Sequence, residues 1–456
     1  MEREKFGSRL GFILIAAGCA IGLGNVWKFP YIVGAYGGAT FVLIYLFFLF
    51  ALGLPIMVME FAVGRASRKS IARSFHDLEP KDSKWHWYSM FGMAGNYLLM
   101  MFYTTVAGWM LIYLWKTASG QLNGLSADAI AGDFVGMLGD PVMMGVAMVI
   151  ATVLGMAVCL GGVQNGVEKI TKPMMLCLLA LLVILAIRSI TLDGAAEGLA
   201  FYLVPNWAIF ETVSINEVVF AAMGQAFFTL SLGIGSMAIF GSYIDKDRSL
   251  TSEAISVTLL DTFVAFTAGL IIFPACFAFG VSPDSGPQLL FITLPNVFNA
   301  MPAGQLWGTL FFVFMSFAAM STVIGVFENI ISCCMDGFGW DRKKSVTINL
   351  IALLILAVPC VLGYNIWSGF EPLGDGTAVL DLEDFFVSFN LLPIGSVIYL
   401  LFCTSRYGWG WENFIAEADQ GKGMKFPKAL RFYMTYIIPI LVLYVFIMGY
   451  KSLFFS

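Results

Sequence analysis

The residues of this chain that could do chemistry lie inside long apolar runs, and their types suit coordination rather than bond breaking. Ala16-Ala-Gly-Cys-Ala-Ile-Gly-Leu-Gly-Asn25 places three glycines and an asparagine within one run, and Ser231-Leu-Gly-Ile-Gly-Ser236 does something similar in another. Glycine costs ~1 kcal/mol against alanine in a helix interior, so both stretches are weak points of a helix. Close helix packing through small residues is the alternative for either one alone. Ser321 and Thr322 stand three and four residues after Ala318, so on a helix both hydroxyls point back over that carbonyl and gather oxygens suited to a hard cation. A plain bond to their own helix is the alternative for the hydroxyls, and helix–helix glue is the alternative for Asn25. Catalysis has little to build on. The two histidines, His76 and His86, lie in a basic loop, and the eight cysteines sit in or beside apolar segments without metal-ligand spacing. The chain is therefore not expected to be an enzyme.

The elements that must position these residues are membrane helices. Hydrophobic residues make up 59% of the 456 positions and charged residues 12%, where a soluble domain carries about 25% charged. Apolar runs long enough for ~30 Å of hydrocarbon recur at about 11–38, 39–64, 87–116, 141–160, 170–190, 215–243, 252–280, 306–335, 346–364, 384–404 and 431–451. This predicts an all-α membrane protein of eleven transmembrane helices in one domain, 1–456. Spans 1–5 (about 8–190) and 6–10 (about 215–405) read as a 5+5 inverted repeat, followed by span 11 (about 427–452). An odd number of spans per half obliges the second half to enter from the opposite side. The two glycine-rich stretches fall at corresponding positions, in spans 1 and 6, and are expected to be unwound at mid-membrane. Interruptions placed this way point to a midplane substrate site. Freed backbone groups cannot be left bare in hydrocarbon. Helix N-termini suit anions and C-terminal ends suit cations, so a zwitterion with sodium ions would satisfy both sets.

All but four of the 25 Lys and Arg residues (Lys28, Lys116, Arg188 and Lys451) fall on one side, which the positive-inside rule makes cytoplasmic. The N-terminus is then cytoplasmic and the C-terminus extracytoplasmic, in a multi-pass protein of the cell inner (plasma) membrane surrounded by lipid. The first run shows no cleavage site and reads as a retained helix. A net charge of −5 hides this asymmetry and gives no reason to expect nucleic acid; no obligate protein partner is evident.

Arg9-Leu-Gly-Phe12, Gly22-Leu-Gly-Asn-Val-Trp-Lys-Phe-Pro30, Gly224-Gln-Ala-Phe-Phe-Thr-Leu-Ser-Leu-Gly233 and Phe291-Ile-Thr-Leu-Pro295 resemble motifs of the neurotransmitter:sodium symporter family, and the likeness runs nearly the whole chain. The resemblance to a bacterial member implies sodium-coupled symport of a neutral amino acid by alternating access. An amino-acid-gated sensor or channel on the same fold is the alternative. Carried over residue by residue, a first sodium would be held by Ala20, Asn25, Thr229 and Asp261, and a second by Gly18, Ile21, Ala318, Ser321 and Thr322. The substrate pocket would comprise Cys19, Ala20, Leu23, Gly24, Leu99, Tyr103, Phe228, Thr229, Ser231, Ile234, Thr322 and Val326. Gly22 stands where monoamine carriers have an aspartate, which leaves room for a substrate carboxylate and implies an α-amino acid. Tyr103 would donate to that carboxylate, and carbonyls of Thr229 and Ser231 would receive the ammonium. Leu99, Phe228, Ile234 and Val326 make the far end apolar, so large hydrophobic or aromatic side chains are expected and charged ones are costly to bury. Cys19 departs from the asparagine of a leucine-carrying member.

The family's gates fall on Lys28 with Asp384 above the site and on Arg3 with Asp336 below it. Snorkelling is the alternative for Lys28, and a plain cytoplasmic charge is the alternative for Arg3. The chloride-binding pattern of some members falls on Tyr45, Gln225, Thr229, Asp261 and Ala265. A hydroxyl has become alanine and an asparagine has become aspartate, so chloride is not expected to be required.

Overall fold

The computed structural model describes residues 4–281 and 288–454. Among them the chain is helical, with no strand beyond a single bridge between Arg248 and Lys422. Nine helices among the described residues are long and apolar enough to cross a bilayer: Ala39–Ser67, Trp85–Ala118, Pro141–Leu160, Val163–Ile190, Leu250–Ala278, Gly304–Phe338, Arg342–Leu362, Val379–Thr404 and Lys428–Met448. In the order of the apolar runs these are segments 2 to 5 and 7 to 11. Segment 1 is a bent pair, Arg9–Ala20 and Gly24–Ala35, which makes a tenth crossing if counted as one span. Segment 6 does not reach crossing length in one piece, because it folds as Ile215–Thr229 and Ser236–Ser242, of 15 and 7 residues. Segment 8 is the central post, 78% buried over its most apolar window, whereas segment 11, at 18%, lies at the edge.

Both interruptions have a local cause. Segment 1 starts at Ser8, whose hydroxyl accepts the Gly11 N–H, and runs to Ala20; Ile21 then leaves the helical region at ψ 93°. The helix restarts at Gly24 with its axis turned by 56°. In segment 6, Gly233 and Gly235 take φ values of +92° and +77°, which glycine adopts without a side-chain penalty. Ser231, at φ +50°, has no such freedom, and a non-glycine residue held there costs on the order of 1–3 kcal/mol.

The backbone groups freed at segment 6 are met by side chains of two neighbouring segments, as a membrane interior demands. Glu60 of segment 2 accepts the Gly233 N–H, and Tyr88 of segment 3 donates to the Gly233 carbonyl. Asn96 donates to the Ile234 carbonyl at 2.8 Å and is itself fixed by Asn329 of segment 8 at 2.9 Å.

Candidate functional site

The break in segment 1 lies against segment 8, and there five oxygens converge. The Ser321 hydroxyl donates to the Ala318 carbonyl at 2.9 Å and to the Ile21 carbonyl at 3.3 Å. Thr322 lies 3.4 Å from both the Gly18 and the Ile21 carbonyls. Both hydroxyl-bearing residues are buried. Each hydroxyl can turn its proton away and offer a lone pair instead. The cluster is thus a set of hard oxygen donors in a dry place, the kind that holds a small hard cation.

A second polar cluster joins segment 1 to segments 6 and 7. Asp261 is fully buried and takes its hydrogen bonds from neutral donors: Asn25 at 2.8 Å and the Thr229 hydroxyl at 3.1 Å. Asn25 also turns its Oδ1 to the Gly22 N–H at 3.3 Å. A buried carboxylate without a basic partner is costly unless a cation joins it. Gln225 donates to the Gly24 carbonyl at 3.0 Å, while its own Oε1 has no hydrogen-bond partner.

Between the two clusters is a cavity lined by Ala20, Gly22, Gly24, Leu99, Tyr103, Phe228, Ser231, Ile234, Thr322, Val387 and Leu392. Its polar end is made of backbone from the two breaks and of the Tyr103 and Thr322 hydroxyls; Tyr103 accepts the Leu23 N–H at 2.9 Å. A Cβ on Gly22 would collide with the Tyr103 hydroxyl and lie 2.5 Å from the Thr322 hydroxyl. Any side chain at position 22 therefore takes space from whatever these hydroxyls bind. The other end is apolar.

Not every expected pocket residue reaches this cavity. Cys19 is fully buried, packed against Gly325 with no room for a Cβ between them, and Val326 is also fully buried. Leu23 lines the larger vestibule of about 250 Å³ on the other side of Phe228, and Thr229 faces Asp261. Val387 and Leu392 of segment 10 line the cavity without having been expected there. No group of three or more His, Cys, Asp or Glu side chains suited to a metal occurs among the described residues.

The family model described as the Sodium:neurotransmitter symporter family (SNF) matches residues 3–129 and 133–454. The chain belongs to this family. Its members are sodium-coupled symporters, not enzymes, and they are multi-pass membrane proteins. The chain is similar to the uncharacterized sodium-dependent transporter YhdH of Bacillus subtilis, at 36% identity over 97% of each chain. It is also similar to the sodium-dependent serotonin transporter of Drosophila melanogaster, at 26% identity over 99% of this chain and 77% of that one. Among solved structures, MhsT in complex with L-phenylalanine matches with a TM-score of 0.88 at 37% identity, covering 98% of this chain and all of that one.

In this symporter the cavity is closed off on two sides. Toward the vestibule, Lys28 lies 3.4 Å from Asp384, 3.2 Å from Ser388, and 4.1 Å above the Phe228 ring. Phe228, with Gly24 and Tyr103, forms the partition, since these three line both the cavity and the vestibule. On the face that carries the N-terminus, Arg3 of the expected gate lies outside the described residues. Its expected partner Asp336 accepts the Ser70 N–H at 2.7 Å and lies 3.7 Å from Lys69.

That face is held by an ion pair that sequence reasoning missed. Arg342 grips the buried Glu328 with two N–H groups at 2.7 and 3.0 Å, and Glu328 also accepts from Tyr243 at 2.8 Å. The N-terminal segment is tied in alongside. Arg342 reaches Glu4 at 3.1 Å, and Glu168 accepts the Gly7 N–H at 2.6 Å and the Ser8 hydroxyl at 2.9 Å. Lys5 pairs with Asp245 at 2.7 Å and Arg9 with Glu253 at 3.0 Å. One signal was available for Glu328 and Glu60 alike: an acid inside an apolar helix is a functional candidate by default.

Proposed function

We propose that this chain is a secondary active transporter that carries a neutral amino acid with a large hydrophobic or aromatic side chain, coupled to two sodium ions, by alternating access. The observation that carries the reading is the convergence of the Gly18, Ile21 and Ala318 carbonyls with the Ser321 and Thr322 hydroxyls beside a cavity that is polar at one end and apolar at the other. On this reading the second sodium sits among those oxygens. The first sits between Asn25, Thr229, Asp261 and the Ala20 carbonyl, completed by the substrate carboxylate. Gly22 leaves that carboxylate its place beneath Tyr103. That MhsT, a protein of the same fold, was crystallised with L-phenylalanine supports the substrate class.

The reading has a topology. Segments 1–5 and 6–10 form the inverted repeat with segments 1 and 6 unwound at mid-membrane, and segment 11 follows. Lys28 and Asp384 face outward, and Glu328 and Arg342 face the cytoplasm together with the N-terminus. The driving force is sufficient. Each ion gains ~2.3 kcal/mol per 100 mV and ~1.4 kcal/mol per tenfold gradient, so two sodium ions supply roughly 7 kcal/mol. The Asp261 carboxylate supplies the negative charge that chloride brings elsewhere in the family, so transport needs no chloride.

Uptake of labelled leucine, phenylalanine and tryptophan into proteoliposomes, with inward sodium or potassium gradients, tests this directly. Accumulation above equilibrium with sodium only is the expected result. Equilibration without accumulation would make the protein a channel, and binding without uptake a sensor.

A further inference from the structure

Segment 10 changes its winding where it meets the cavity. Pro393 has no N–H to give the preceding turn, and the chain takes an extra residue into that turn. Val387–Leu391 is π-helical, closed by the Leu392 N–H on the Val387 carbonyl. Turns of this kind inside α-helices occur frequently at functional sites. The residues at its two ends, Val387 and Leu392, are buried and line the apolar end of the cavity with Leu99 and Ile234. Leu99 stands on the long regular helix Tyr88–Ala118. The Ile234 carbonyl is pinned by Asn96. The wall from segment 10 stands instead on this irregular turn, whose outward residues Ser388 and Asn390 are held by Lys28 at 3.2 Å and Tyr450 at 2.6 Å while Val387 and Leu392 face the cavity.

We infer that Val387 and Leu392 are specificity-determining residues: they form the wall on which the far end of the substrate side chain rests, and they set how large that side chain can be. The inference rests on the amino-acid transport reading and deepens it. An apolar wall discriminates by volume. A substrate too short for it leaves unfilled space, and one too long must displace the turn. The polar end cannot do this sorting, because Gly22, Tyr103 and Thr322 meet groups common to every amino acid.

The test is sodium-dependent binding of alanine, leucine and tryptophan to purified wild type and variants. Val387→Ala and Leu392→Ala should shift preference toward tryptophan over leucine about tenfold, the scale of a small volume change in an apolar pocket. Val387→Phe should lower tryptophan relative to alanine by about tenfold. Val387→Ile, which barely alters the fold's packing demand, should move the same ratio in the same direction by less. Ratios that stay at wild-type values, or affinities that fall equally for all three amino acids, would overturn the inference while the transport reading stands. A wild type that binds none of the three would overturn the transport reading and this inference with it.

Discussion

The two closures of the cavity are built to different strengths. Toward the vestibule, Lys28 and Asp384 meet through one contact at 3.4 Å, with 29% and 28% of their side chains exposed. On the N-terminal face, Arg342 and Glu328 meet through two contacts at 14% and 1% exposure, flanked by Lys5–Asp245 and Arg9–Glu253. A partly exposed single pair contributes about 0–1 kcal/mol. Breaking a buried pair by removing one partner costs about 3–5 kcal/mol. Opening toward the vestibule is therefore the cheaper motion, and a carrier built this way waits for substrate on that side. On the proposed topology, which puts Lys28 on the outer side, the asymmetry suits uptake.

The sharpest way to break this comparison is Arg342→Ala. It leaves Glu328 buried with only hydroxyl donors, Tyr243 and Ser332, at an expected cost of about 3–5 kcal/mol. Hydrogen exchange should speed up in residues 4–12 and 163–168, which Glu4 and Glu168 hold together. Sodium-driven accumulation should fall at least about tenfold, since 1.4 kcal/mol is already a factor of ten. Wild-type exchange in both regions would show that the ion pair is an ornament of the surface rather than a closure.

The oxygen cluster belongs to the same strong side, because Ser321 and Thr322 share segment 8 with Glu328 and clamp the first half of segment 1. A cation there would tie that half to the central post. Ser321→Ala with Thr322→Val should raise the sodium needed for half-maximal substrate binding by more than about tenfold, on the basis of ~1.5–3 kcal/mol per lost contact to a charge. Unchanged sodium dependence would mean that these hydroxyls serve only their own helix.

How much of this was legible beforehand depended on separation along the chain. Ser321 and Thr322 are three and four residues from Ala318, so helical geometry alone groups them. Gly22 and Asn25 are legible through the family resemblance of the motif that carries them. The supports of the segment 6 break are not local: Glu60, Tyr88 and Asn96 reach it across 173, 145 and 138 residues. Only Glu60 left a trace, as an acid in an apolar run. Val387 and Leu392 left none, since they look like any other lipid-span residues until Pro393 displaces the turn they bound. Cys19 shows the converse difficulty. Its position in the motif suggests a pocket residue, while the close approach of Gly325, which no motif announces, packs its side chain against segment 8.

The Asp261 cluster belongs to the weaker side, since Asn25 and Lys28 share the second half of segment 1, and this yields a third measurement. Asp261→Asn removes the only charge found in that cluster, so sodium-driven uptake should fall by about tenfold or more, for a lost charge-assisted contact of ~1.5–3 kcal/mol. Replacing chloride by gluconate should leave the wild type unchanged. Adding Ala265→Ser to Asp261→Asn should restore part of the uptake in chloride and none in gluconate. Chloride dependence in the wild type would place the compensating charge elsewhere.

The smallest expected effect is at Lys28, and it tests the asymmetry from its weak end. Lys28→Ala removes one long contact and a cation above the Phe228 ring, together worth about 1 kcal/mol at a partly exposed site. Uptake should fall by no more than about fivefold, and the loss should shrink further in high salt, which screens the wild-type pair. Lys28→Arg acts in the opposite direction. The guanidinium is a planar fork that can grip both carboxylate oxygens of Asp384, where the ammonium is a single point charge. A stronger latch holds bound substrate longer, so dissociation of amino acid on the vestibule side should slow in Lys28→Arg and quicken in Lys28→Ala. If Lys28→Ala instead costs as much as Arg342→Ala, the two closures are equal in strength, and the preference for opening toward the vestibule must come from the bound ions rather than from the protein.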